Sequence, residues 1–201
     1  METRNFKDLK NLIKSNPEKL NMMMRYPSNF TNTIKITNRI GTNIIHLIAL
    51  YNPSYLYSVF ISNLFQPDFE ANNLFFRKNI FGLTWLHILC MYNIEYFVEV
   101  KEFVTNALSK EQDIVGNTFL HKIARFNPSY LKIVLNHIYT RLDYNAILSK
   151  RDILGDTFLH TLCIYHPNKY NEYINSFSNE IVQIKNKFNM KCFDYLIIQK
   201  N

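Results

Sequence analysis

"GNTFLH", residues 116–121, returns as "GDTFLH" at 155–160, and more loosely as "GLTWLH" at 82–87 and "GTNIIH" at 41–46. All four glycines of the chain stand five residues before a histidine. A catalytic motif occurs once, whereas a phrase that occurs four times is architecture.

The glycine-to-glycine spacings are 41, 34 and 39 residues. Repeats of that length mark stacked helical units more often than anything else. The residue before each histidine is a large aliphatic, Ile45, Leu86, Leu120 or Leu159. Three after it stands a small residue, Ala49, Cys90, Ala124 or Cys163, and five after it an aromatic, Tyr51, Tyr92, Phe126 or Tyr165. Asn52, Asn93, Asn127 or His166 follows, then Pro in three units of four.

Each position has a physical reason. Gly41, Gly82, Gly116 and Gly155 supply a positive φ at a tight turn. Thr84, Thr118 and Thr157, two residues on, are helix N-caps, and Asn43 takes that place in the first unit. The aliphatic and the small residue share one helix face, and the small one lets a neighbouring helix approach. Asn after the aromatic predicts a left-handed helix stop, and Pro then starts a second helix such as "PSYLYSVFISNLF" or "PSYLKIVLNHIY".

The pattern D-x-x-G-x-T-x-L-H-x-x-A followed by an amphipathic helix resembles the ankyrin repeat, with "DIVGNTFLHKIARFNPSYLKIVL" and "DILGDTFLHTLCIYHPNKY" as the closest copies. The expected fold is an all-α ankyrin-repeat solenoid of stacked helix-turn-helix units joined by short turns or hairpins. An N-terminal helical capping segment covers 1–36, and ankyrin-like repeats cover 37–78, 79–112, 113–151 and 152–185. A degenerate C-terminal capping repeat covers 186–201, where Asn189 takes the glycine place 34 residues after Gly155. The family's Pro after Thr is replaced by Ile44, Trp85, Phe119 and Phe158, so the repeats are degenerate. The resemblance implies a structural role for His46, His87, His121 and His160, each bonding the Thr hydroxyl and a neighbouring backbone group.

Composition agrees with an ordered globular chain: of 201 residues 47% are apolar and 19% charged, and the few Gly and Pro favour helices. Three cysteines without a CxxC suggest neither a disulfide framework nor a zinc knuckle. The charged N-terminus has no signal core and no run reaches membrane-spanning length, so a cytoplasmic protein is expected. The net charge is +7, of which residues 1–40 carry +5, from eight Lys/Arg against three acids. That excess offers an alternative function, a basic accessory protein contacting nucleic acid or an anionic membrane through its N-terminal segment. An AT-rich genome accounts for the same lysines, and nucleic acid is the disfavoured partner.

No phosphate loop, HExxH motif or Ser-His-Asp context occurs, so neither an enzyme nor a cofactor is expected. His87/Cys90 and His160/Cys163 are HxxC pairs, but they fall in non-adjacent units, too far apart to share an ion. Asp113, Asp152 and Asp156 read as turn and cap residues.

The remaining candidates are contacts for a protein partner. Tyr51, Tyr92, Phe126 and Tyr165 either pack on the second helix or form a ladder of anchors on the concave face the resemblance implies. Arg125, Asn117 and Asp156 join them, beside turn tips that include Asn79, Phe81, Leu83, Ile114, Val115, Ile153 and Leu154. Apolar tips are costly when exposed without a partner. The expected function is a non-catalytic protein-interaction module. Similarity to IκB-like ankyrin proteins of insect-associated viruses, including polydnaviruses, implies a decoy in host cytoplasm or nucleus that binds Rel/NF-κB-type factors and suppresses immune signalling. One feature runs against simple transfer: a decoy covering a basic nuclear-localisation segment needs acidic surface, and this chain is basic.

Overall fold

The computed structural model of the protein describes residues 2–16, 18–19, 22, 36–64, 75–174 and 177–198. Most of the segment 17–35 and the stretch 65–74 lie outside the described residues, and with them much of the expected capping segment 1–36, Arg25 and Lys35 of its basic excess included, and part of the expected repeat 37–78. Over the described residues the chain is mostly helical, with one isolated antiparallel bridge between Lys185 and Lys191 and no β-strand. The all-α expectation holds.

Two compact units, Met1–Phe103 and Val104–Asn201, make up the chain, and the division falls inside the expected 79–112 repeat. The first unit contains α1 (Glu2–Ser15), α2 (Ile44–Tyr51), α3 (Leu56–Leu64), α4 (Trp85–Tyr92) and α5 (Phe97–Val100). α1 lies against α2, and α2 against α4. Their apolar faces close over Ile13, Ile45, Ile48, Leu56 and Leu86, with the Phe60 ring 4.9 Å from Trp85.

The second unit contains α6 (Asn106–Ser109), α7 (Phe119–Phe126), α8 (Leu131–Arg141), α9 (Tyr144–Leu148) and α10 (Phe158–Tyr165). It continues through α11 (Pro167–Tyr173), α12 (Asn179–Val182) and α13 (Asp194–Ile198). α7 packs on α10, which also contacts α11 and α13. The aliphatic and small positions of the sequence pattern are fully buried throughout, Cys90 and Cys163 included. The starting prolines sit in the first turn as expected, but Pro53–Tyr55 and Pro128–Tyr130 are 3₁₀ turns that tighten the chain before the α-helix begins.

Two local features differ from the sequence reading or were absent from it. The helices α2, α4, α7 and α10 do not stop in a left-handed conformation: Asn52, Asn93, Asn127 and His166 have φ from −145 to −142. The reason is that the side chain, not the backbone, is the functional part. Asn93 Nδ2 donates to the carbonyls of Ala49 and Leu50 at the end of α2, and His166 Nε2 to that of Arg125 in α7. Asn52 Nδ2 does the same for Ile13 in α1. These three stops, Asn52, Asn93 and His166, therefore satisfy carbonyls at the end of the preceding layer in their own unit. Second, α6, α9 and α12 are short third helices ahead of the next turn. They bury Leu108 and Ser109, Ile147 and Leu148, and Ile181 and Val182 at matching distances from the next turn.

Candidate protein-interaction face

The turns that carry the glycines set the position of everything exposed. In the second unit, Gly116 N–H donates to the Asp113 carbonyl at 2.9 Å, closing a β-turn. The Asp113 carboxylate accepts from Val115 N–H (3.0 Å) and Asn117 N–H (2.8 Å). Asp152 and Asn186 repeat this arrangement in the same unit, and Asn38 and Asn79 in the first. An Asp or Asn three residues before the turn's left-handed residue is thus a further fixed position of the unit. The sequence shows it five times. Asn189, at the glycine place of the last turn, has φ 61.

Successive turns bond to one another. Ile153 N–H donates to the Val115 carbonyl (3.0 Å) and Lys187 N–H to the Leu154 carbonyl (2.9 Å). In the first unit Ile80 N–H donates to the Ile40 carbonyl at 2.9 Å. The approach is close: a Cβ on Gly116 would fall 2.7 Å from the Cα of Asp152.

Within each unit, histidines tie one turn to the next. Thr118 caps α7 in a reciprocal box, its side chain accepting from His121 N–H while its own N–H donates to His121 Nδ1. Nδ1 being the acceptor, the proton is on Nε2, which donates to the Asp156 carbonyl at 3.1 Å. His160 Nε2 reaches the Met190 carbonyl and His46 Nε2 the Leu83 carbonyl. Thr84 with His87 and Thr157 with His160 form the same box. Burial holds the His121 imidazole down at about 4, and lowers His46 and His160 as well.

The aromatics after the histidines divide into two kinds. Tyr92 is 60% exposed, Phe126 45% and Tyr165 46%, so these three rings do not pack away against the second helix. Tyr51 is half-buried, with Lys14 Nζ 4.2 Å and Lys10 Nζ 5.7 Å from its ring centroid. Lys10 and Lys14 of the N-terminal helix are thereby engaged within the first unit. In the second unit the Arg125 guanidinium lies 4.5 Å from the Tyr165 ring and 5.2 Å from Phe126. Lys122, one turn before Phe126 on α7, pairs with buried Asp113 at 2.5 Å, which together with backbone N–H bonds keeps that carboxyl below its usual range despite burial. Arg125, by contrast, has no carboxylate partner among the described residues. The exposed surface formed by Arg125, Phe126 and Tyr165 therefore offers one cation and two ring faces.

Several candidate contacts lie elsewhere than the sequence placed them. Asp156 is buried, accepting from Asn186 Nδ2 at 2.7 Å, and burial raises its carboxyl pKa. Asn79 is also buried because it closes its turn. Asn117 is half-buried at the turn base, and Leu83 is half-buried too. The tips themselves are Ile80 and Phe81, Ile114 and Val115, and Ile153 and Leu154, all exposed; Phe188 completes the set at 65%. Phe188 was legible once Asn189 had been aligned with glycine.

Among the described residues no three His, Cys, Asp or Glu side chains come together as metal ligands. Cys90 and Cys163 are buried thiols with pKa values pushed up, Cys90 by burial and Cys163 by its hydrogen bond with Cys192 and burial. Among the same residues no helix is long and apolar enough to cross a membrane. No protein-family model matches the chain, and no curated protein matches it.

Proposed function

We propose that the protein is a non-catalytic, ankyrin-like interaction module that grips a protein partner through the face of the second unit carrying Arg125, Phe126 and Tyr165. One observation carries the reading: Phe126 and Tyr165 are exposed although the aliphatic and small positions of their helices are buried core, and a guanidinium with no carboxylate partner among the described residues stacks on both rings. Aromatic rings and arginine are the side chains that dominate binding energy at protein interfaces. The recurring Asx turn, Thr–His box and paired helices support the ankyrin-like assignment.

The test is an unbiased co-purification from expressing cells with the full chain and an Arg125→Ala/Phe126→Ala variant. A partner retained by the parent and lost by the variant, at unchanged melting temperature, supports the reading. Equal capture by both removes this face from the interface. The narrower version, a decoy for Rel/NF-κB-type factors, stands or falls on pull-down of a Rel homology domain at micromolar concentration. Its difficulty is charge, since Arg125 would repel a basic nuclear-localisation segment.

A further inference from the structure

The turn tips of the second unit combine three properties that the helix face does not use. First, their side chains are apolar and outward: Ile114 and Val115, Ile153 and Leu154, and Phe188 are all exposed. Second, the tips form a registered ridge, because each turn donates to the carbonyl of the one before, Ile153 to Val115 and Lys187 to Leu154. The N–H groups of Val115, Leu154 and Phe188 are likewise taken by Asp113, Asp152 and Asn186 side chains. These backbone groups are already paired, so moving the ridge into an apolar phase would not strand them.

Third, the accessible charge beside the tips is positive. Arg151, Lys185 and Lys187 are exposed within three residues of an apolar tip, against one acid in the same range outside the turns, the half-buried Glu111. The acids of the same turns are directed inward: Asp113 and Asp152 accept turn N–H groups, and Asp156 accepts from Asn186. Aliphatic and aromatic side chains at the apex with cations set just behind are what an anionic bilayer rewards, the former below the headgroups and the latter among them.

We infer that this ridge docks the protein onto anionic lipid surfaces. A bilayer fits better than the two other anionic partners. Nucleic acid gives isoleucine, valine and leucine nothing to stack on and leaves them in water. An acidic polypeptide would have to supply a groove matched to a protruding row of tips, whereas a bilayer deforms around it. The ridge does not include Arg125, Phe126 or Tyr165, so the inference is independent of the proposed protein-binding face.

Co-sedimentation of the full chain with vesicles of phosphatidylcholine alone, and of phosphatidylcholine with phosphatidylserine, tests it. Binding to the phosphatidylserine vesicles only, weakening as salt rises, is expected. The Ile153→Ser/Phe188→Ser variant should bind at least about tenfold more weakly, and Arg125→Ala/Phe126→Ala should bind as the parent does. Melting temperature checks that the serine variant is folded. If it is not, Arg151→Ala/Lys187→Ala replaces it, with the same loss expected. Failure to sediment, equal binding to both vesicle types, or parental binding by the folded tip variant would each overturn the inference. So would displacement from vesicles by a single-stranded oligonucleotide that binds parent and tip variant equally, which would assign the cations to nucleic acid.

Discussion

The side-chain amide of Asn93 donates to the carbonyls of Ala49 (2.8 Å) and Leu50 (3.0 Å), so the residue that ends α4 also closes the end of α2. Asn93→Ala leaves those carbonyls short of a donor and should lower the unfolding free energy by about 1–2 kcal/mol. Asn93→Gly separates this role from a left-handed stop. Glycine would restore stability if the backbone conformation mattered. Here it should be no better than alanine, because φ is −144 and the amide is lost. Urea unfolding followed by Trp85, the only tryptophan and buried in the same unit, reads both.

Asn43 is the weak member of the four N-caps. In the other three boxes a threonine hydroxyl can accept from the histidine N–H and donate to Nδ1 through one atom. Asn43 Oδ1 sits 2.7 Å from His46 Nδ1 with no proton of its own to give, and its buried Nδ2 has no partner. Asn43→Thr should therefore stabilise the first unit by about 1 kcal/mol, seen as a higher urea midpoint at unchanged m-value. A lower midpoint would mean that the amide packs better than its hydrogen bonds suggest.

Gly116→Ala should be more damaging than Gly41→Ala. Both glycines have positive φ, so both substitutions carry the left-handed penalty of about 1–2 kcal/mol. Only at Gly116 does the new Cβ meet backbone at 2.7 Å; at Gly41 the nearest atom is at 3.3 Å. The next turn must move to admit it, and the Ile153–Val115 bond goes with it. Thermal melts by circular dichroism should rank the two variants in that order.

Acid should weaken the fold before it protonates most carboxylates. His121 titrates at about 4 in the folded chain against 6.5 when free. Above pH 6.5 both states are neutral at this residue and stability is full. Between 6.5 and 4 the unfolded chain takes up a proton that the folded one refuses, so stability falls as pH falls. Below 4 this group adds no further loss. The difference corresponds to on the order of 3 kcal/mol for His121 alone. His46 and His160 shift in the same direction. Denaturation midpoints from pH 7.5 down to about 4 should fall steadily in the parent, with a shallower slope in His121→Gln. An unchanged slope would place the sensitivity at another group.

Repetition made most of the frame legible in the sequence. Gly116, Thr118, Leu120, Ala124 and His121 recur in fixed spacing because turn, cap, core and tie are local requirements met within a few residues. The same logic extended to Asn189, whose left-handed backbone follows from its place in the count. It failed where a residue acts on the layer before it. Asn93 looks in sequence like a backbone stop, yet its amide bonds residues 43 and 44 positions earlier. Asp156 looks like a solvent-facing turn residue, yet Asn186, 30 positions later, folds over it.

Local physics thus determined the helices, their caps, the turn conformations and which face of each helix is apolar. Tertiary structure alone decided exposure. Tyr51 and Tyr165 occupy the same repeat position, but Tyr51 is half-buried against the lysines of α1, whereas Tyr165 stays open beneath a single guanidinium. Burial depends on what the next layer places against a ring, and that is set by packing between segments far apart in the chain. The same holds for charge: carboxylates drawn into turn hydrogen bonds leave Arg125, Arg151 and Lys187 exposed on the surface, a balance that composition does not reveal.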